Sequence, residues 1–150
     1  MEFQMEILLN STAACIALSA AGIFFMAGLL TGLWKYLCMR KDPQAEAPYY
    51  VNTAHRAALM YAFSAQLLAI FAGISIFPGW VNTLAVIQPL LFFAISIAHY
   101  VQLGLKTTSN NSLRDSSNKA KDYLMLNILA VAEIGGFSVL LLGFFIKVWQ

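Results

Sequence analysis

Residues 52–73 read NTAHRAALMYAFSAQLLAIFAG. A histidine and an arginine stand near one end, a single glutamine interrupts the middle, and most of the rest is apolar or small. A run of this kind spans a hydrocarbon core of ~30 Å, which takes ~20 residues of helix. The apolar part extends over about 57–77, and three further runs share its character, at about 7–34, 81–105 and 123–146. Of the 150 residues 60% are hydrophobic and 11% charged, against about 25% charged in a soluble domain. Backbone groups in lipid must bond within their own segment, so the expected fold is all-α. It is an integral membrane bundle of four transmembrane helices, one domain over residues 1–150. Transmembrane β-strands would show as ~10-residue alternating segments, and none is visible. The leader MEFQME is acidic and lacks Lys and Arg. A cleaved signal needs a positive start, so the first run is expected to be a retained helix.

Charge sets the expected orientation. Lys35, Arg40, Lys41 and Arg56 flank the first connection, and Lys106, Arg114, Lys119 and Lys121 the third, which makes eight of the nine basic residues. The middle turn FPGWVN is uncharged. By the positive-inside rule, loops 35–56 and 106–122 are expected in the cytoplasm and both termini outside. The net charge of +2 follows from this topology and does not point to nucleic acid. Tyr49, Tyr50, Trp34, Trp80 and Trp149 suit the interfacial aromatic belt. Cys15 and Cys38 lie ~34 Å apart at helical rise, too far to pair. Asn10-Ser11-Thr12 and Asn110-Asn111-Ser112 match the glycosylation pattern, one at the membrane edge and the other on the cytoplasmic side. Helix one carries Gly28-x-x-x-Gly32 and alanines at 13, 17, 20 and 21. Such residues let helices approach closely in lipid, within one chain or between copies, and packing within the chain is expected.

The polar residues inside the runs are spaced regularly. His55 and Gln66, Gln88 and His99, and Asp122 and Glu133 are each eleven residues apart, about three turns and therefore on one helix face. With alternating helix directions, His55, His99 and Asp122 form a tier at the cytoplasmic end. Gln66, Gln88 and Glu133 form a second tier ~16 Å deeper. Ala62, Ala69 and Gly73 share the His55/Gln66 face, so Gln66 is expected to point inward toward helix three or four. Glu133 is the only acid at mid-membrane depth, and no Lys or Arg accompanies it. An isolated charge there is costly, so its neutral form is expected, bonded to Gln66 or Gln88. Such a residue is a catalytic candidate. Tyr61 and Asn127 complete the expected pocket. His55 and His99 are expected to approach each other across the helix two–three hairpin. With Asp122 they are candidate metal ligands, and as a pair they are candidate axial ligands of haem b.

No Walker loop, dinucleotide glycine fingerprint, Cys-x-x-Cys, HExxH or G-x-S-x-G occurs. The length, four-helix layout and outward termini resemble the membrane-associated eicosanoid and glutathione metabolism family. Within TAHRAALMYAF, Ala54, His55 and Leu59 are similar to the Arg-Ala-His…Leu…Glu run that opens that family's second helix. The family's Asn and Glu positions fall here on Ala57 and Met60. The resemblance implies a trimer with a cytoplasm-facing glutathione site between protomers, and the two departures remove residues that such a site uses. Three functional classes follow. The first is a helix-packing subunit, as a homo-oligomer or in a larger membrane complex. The others are a membrane enzyme acting on a lipophilic small molecule and a redox protein using His55 and His99. The lipid bilayer is the partner common to all three.

Overall fold

The computed structural model describes residues 10–106 and 110–150. The acidic leader, the first residues of the run from position 7, and residues 107–109 of the third connection lie outside the described residues. Four helices follow in order: α1 Thr12–Lys41, α2 Tyr49–Ile74, α3 Gly79–Lys106 and α4 Lys119–Val148. Each is long and apolar enough to cross a membrane. The chain is an all-helical, multi-pass membrane protein, and the described residues include no strand.

All four helices outrun their apolar blocks at the end that meets the polar connections. α1 continues through the charged stretch to Lys41, and α2 begins at Tyr49. The hydrocarbon limits hydropathy and not the helical hydrogen-bond ladder, so each ladder continues until a cap closes it. Ser11 caps α1, its side chain accepting from the Ala14 N–H at 3.3 Å. Asn118 Oδ1 caps α4, accepting from the Lys121 N–H at 3.1 Å. Beyond α1, Asp42 Oδ1 accepts from the N–H groups of Gln44 and Glu46 at 2.9 and 3.2 Å.

Small residues build the α1–α2 contact. Ala13, Ala14, Ala17 and Ala21 of α1 are buried, as are Ala58, Ala62, Ala65, Ala69 and Ala72 of α2. Such residues bring backbones close where lipid offers no hydrophobic drive to associate. Further along, Gly28 and Gly32 leave notches for larger side chains. A Cβ on Gly28 would lie 2.6 Å from Leu59 Cδ2, and one on Gly32 would lie 2.8 Å from His55 Cε1. The Gly-x-x-x-Gly pair therefore packs within the chain, as its spacing suggested.

α2 and α3 occupy the centre: each touches α1 and α4, while α1 and α4 have no contact with each other. The buried residues of α4, Gly136, Leu140 and Gly143, all lie in its second half. Gly136 sits so close to α3 that a Cβ there would lie 2.5 Å from the Ala85 carbonyl oxygen and 2.9 Å from the Pro89 ring. Pro89 explains the fit: lacking an N–H, it leaves the Ala85 carbonyl without its helical donor, and a glycine can close over that gap. Leu140 is fully buried, Gly143 packs on Ser75 and Phe77, and Phe71 meets Phe137 and Phe144 edge-on at 5.3 and 5.4 Å. The Ile76 N–H donates to the Gly143 carbonyl at 3.3 Å. In contrast, residues 119–133 of α4 include no buried residue. The first half of α4 is the more exposed half, with Asp122, Leu129, Ala130, Ala132 and Glu133 half-buried.

Candidate functional site

A groove opens beside the first half of α2. It is lined by Thr53, Arg56, Ala57, Leu59, Met60 and Tyr61 of α2 with Tyr100 of α3, and encloses ≈ 560 Å³. Phe71, which meets α4, lies eleven residues beyond Met60 and eighteen beyond Thr53. Those are nearly whole numbers of turns, so the groove runs along the face of α2 that α4 covers farther on. The floor is aromatic and partly polar. Tyr61 stacks on Phe93 at 4.3 Å between ring centroids, and its hydroxyl is hydrogen-bonded with Ser96. Glu133 is an electrostatic neighbour of both Tyr61 and Tyr100, although it does not itself line the groove.

At the opposite end the groove reaches the basic connections. Arg56 is exposed and has no acidic partner among the described residues. Arg114, on the third connection, is instead tied to Asp115 at 2.7 Å, and that carboxylate pushes the guanidinium above its usual range. The third connection is pinned beside the groove: the Ser112 N–H donates to the Tyr50 hydroxyl at 2.6 Å, and Tyr50 stacks on Tyr100 at 6.2 Å.

The expected polar tiers do not assemble. Gln66 and Gln88 are both exposed, so the inward orientation expected of Gln66 is corrected. The inner face of α2 is its alanine stripe, and Gln66 follows Ala65 by one residue, ~100° farther around the helix. With both glutamines outward, Glu133 has neither as its partner. Its Oε1 is buried without a hydrogen bond. The cytoplasmic-tier residues also separate. His55 Nδ1 lies 2.9 Å from the Gly28 carbonyl of α1, whereas His99 is exposed on α3 with Tyr100 as its ring neighbour. The two histidines therefore do not form a buried axial pair, and the residues present do not fit a haem held between them. Among the described residues no three His, Cys, Asp or Glu side chains come together as metal ligands would, so His55, His99 and Asp122 do not form a metal centre. Asp122 is half-buried in the first turn of α4, and Asn127 is exposed. Of the expected pocket residues, Tyr61 alone lines the groove.

Sequence reasoning passed over Thr53, Arg56, Ala57, Met60 and Tyr100. The first four recur at helical spacing, a visible sign of one shared face, but nothing local marks that face as uncovered. It also passed over two buried amides, Asn52 and Asn82, each with an unpaired Oδ1. Asn82 Nδ2 donates to the Phe77 carbonyl at 3.0 Å and holds the α2–α3 turn. Comparison with protein-family models, with curated proteins and with solved structures finds no match. The likeness to the eicosanoid and glutathione metabolism family rests on layout and the TAHRAALMYAF segment alone.

Proposed function

We propose that this chain is one subunit of a homo-oligomeric membrane protein, with loops 35–56 and 106–122 in the cytoplasm and both termini outside. The observation that carries this reading is the exposure of Gln66 and Gln88. Both lie roughly 12–14 Å from the helix ends at the α2–α3 turn, counted at helical rise, and so at mid-membrane depth. Polar side chains at that depth face protein rather than lipid. Among the described residues nothing buries these two, so in this reading another copy supplies the cover. The exposed residues in the first half of α4 offer further surface for the same contact. Native mass spectrometry from nanodiscs tests the reading, with a multiple of the 16.5 kDa chain expected. The Gln66→Leu, Gln88→Leu double variant should dissociate at severalfold higher protein concentration, since each interhelical hydrogen bond contributes ~0.6–2 kcal/mol. A wild-type monomer under these conditions, or a double variant with unchanged association, rejects it.

A further inference from the structure

We infer that the α2–α3 groove is a binding site for an anionic glycerophospholipid, one acyl chain lying in the groove and the phosphate at Arg56. The inference goes beyond oligomerisation and does not depend on it.

Charge complementarity and position select this occupant. The groove spans two environments. Its mouth carries Arg56, about seven residues or roughly 10 Å from the start of α2, together with Thr53 one turn nearer the end. Its interior is Ala57, Met60 and the ring of Tyr61. A ligand that satisfies both must join an anion to a long apolar chain. Its volume, ≈ 560 Å³, belongs to the size class of small-molecule sites, so the groove admits one chain and leaves the rest of the lipid in the bilayer. No residue of α4 lines the groove, which leaves it open along the membrane-spanning length of α2. A lipid can therefore enter laterally without leaving the membrane.

The headgroup end is cationic. Arg56, which lines the groove, is exposed and has no acidic partner among the described residues. Basic residues placed between helices at the membrane surface are the arrangement that recognises anionic headgroups. A guanidinium also meets a phosphate through two parallel hydrogen bonds, which an ammonium cannot do. A zwitterionic lipid offers the same chains but sets its own cation against Arg56. The site should therefore discriminate by headgroup.

The test uses the full chain, purified, delipidated and exchanged into mixed micelles carrying phosphatidylglycerol or phosphatidylcholine. Lipid retention is then read by native mass spectrometry. One phosphatidylglycerol per chain is expected, retained at least severalfold better than phosphatidylcholine. Arg56→Gln should lower phosphatidylglycerol retention about fivefold, the weight of one basic residue at an anionic surface. Arg56→Lys, which keeps the charge without the paired hydrogen bonds, should retain phosphatidylglycerol at a level between wild type and Arg56→Gln, and Met60→Trp, which fills the groove, should reduce retention of both lipids. Circular dichroism checks that each variant keeps its helicity, and the lysine variant keeps the test decisive if the glutamine variant misfolds. Equal retention of the two lipids overturns the inference, as does phosphatidylglycerol retention indifferent to Arg56 and Met60. A photocrosslinker at position 60 that captures a second copy and no lipid overturns it too, by assigning the groove to the oligomer. Preferential retention of added oleate would make the occupant a free carboxylate and reject the phospholipid.

Discussion

Glu133 shows how a single polar atom changes an expectation. Its depth in the chain marks it as costly, and Gln66 and Gln88 stand at a suitable level to bond it. The structure turns both glutamines outward and leaves Glu133 Oε1 buried without a partner. On the sequence alone, Glu133→Leu should strand a glutamine and loosen α4 by ~1–2 kcal/mol. With no such bond to break, the sign reverses. Glu133→Leu should hold or raise stability, by up to about 1–3 kcal/mol, the cost of burying an unsatisfied polar group. Glu133→Gln should lie close to wild type. Thermal unfolding in detergent measures both, and a drop of more than ~1 kcal/mol for the leucine variant would mean that the carboxyl has a partner.

Among the helix contacts, α3–α4 depends most on one backbone approach. Gly135 and Gly136 are adjacent in sequence, yet a Cβ on Gly135 meets nothing within 4 Å while one on Gly136 meets the Ala85 carbonyl. The obstruction is backbone, which cannot swing aside, and the Pro89 ring stands behind it. Gly136→Ala should therefore destabilise the α4 contact by about 1–3 kcal/mol, the usual cost of overpacking. Gly135→Ala should be neutral or slightly stabilising, because alanine is the better helix former. Unfolding midpoints of the two variants in one detergent make the comparison; equal midpoints would show that α4 does not seat on Ala85. The same reasoning separates the glycines of α1. Gly22 faces open space, whereas Gly28 and Gly32 receive Leu59 and His55.

For the assembled bundle, the central question is which side of the membrane receives each end. Basic residues concentrate at the connections of one end, and the α2–α3 turn at the other carries no charge. Cysteines introduced singly at positions 110–118 should resist a membrane-impermeant maleimide in intact cells and react after permeabilisation. Cysteines at positions 78–81 should behave in the opposite way. Ready labelling of 110–118 from outside would invert the proposed topology. The background is small, since Cys15 and Cys38 both lie within α1 and are half-buried.

The four spans, their approximate positions, their helical state and the asymmetry of charge were all legible in the chain. Each follows from the cost of moving peptide groups and charges into hydrocarbon, a cost that acts segment by segment and needs no knowledge of neighbours. Depth along each helix was legible for the same reason, because helical rise converts residue number into distance. Rotation about each helix axis was not. Gln66 lies ~100° from the buried Ala65, and no local rule says which side of that boundary α1 will cover. On α2, Leu59 and His55 turned toward α1, into the notches at Gly28 and Gly32. The groove lay beyond sequence reading altogether, since it depends on how α2 meets Tyr100 of α3, residues far apart in the chain. Which helix faces touch depends on the simultaneous fit of four surfaces, and that fit is set by contacts between residues far apart in the chain.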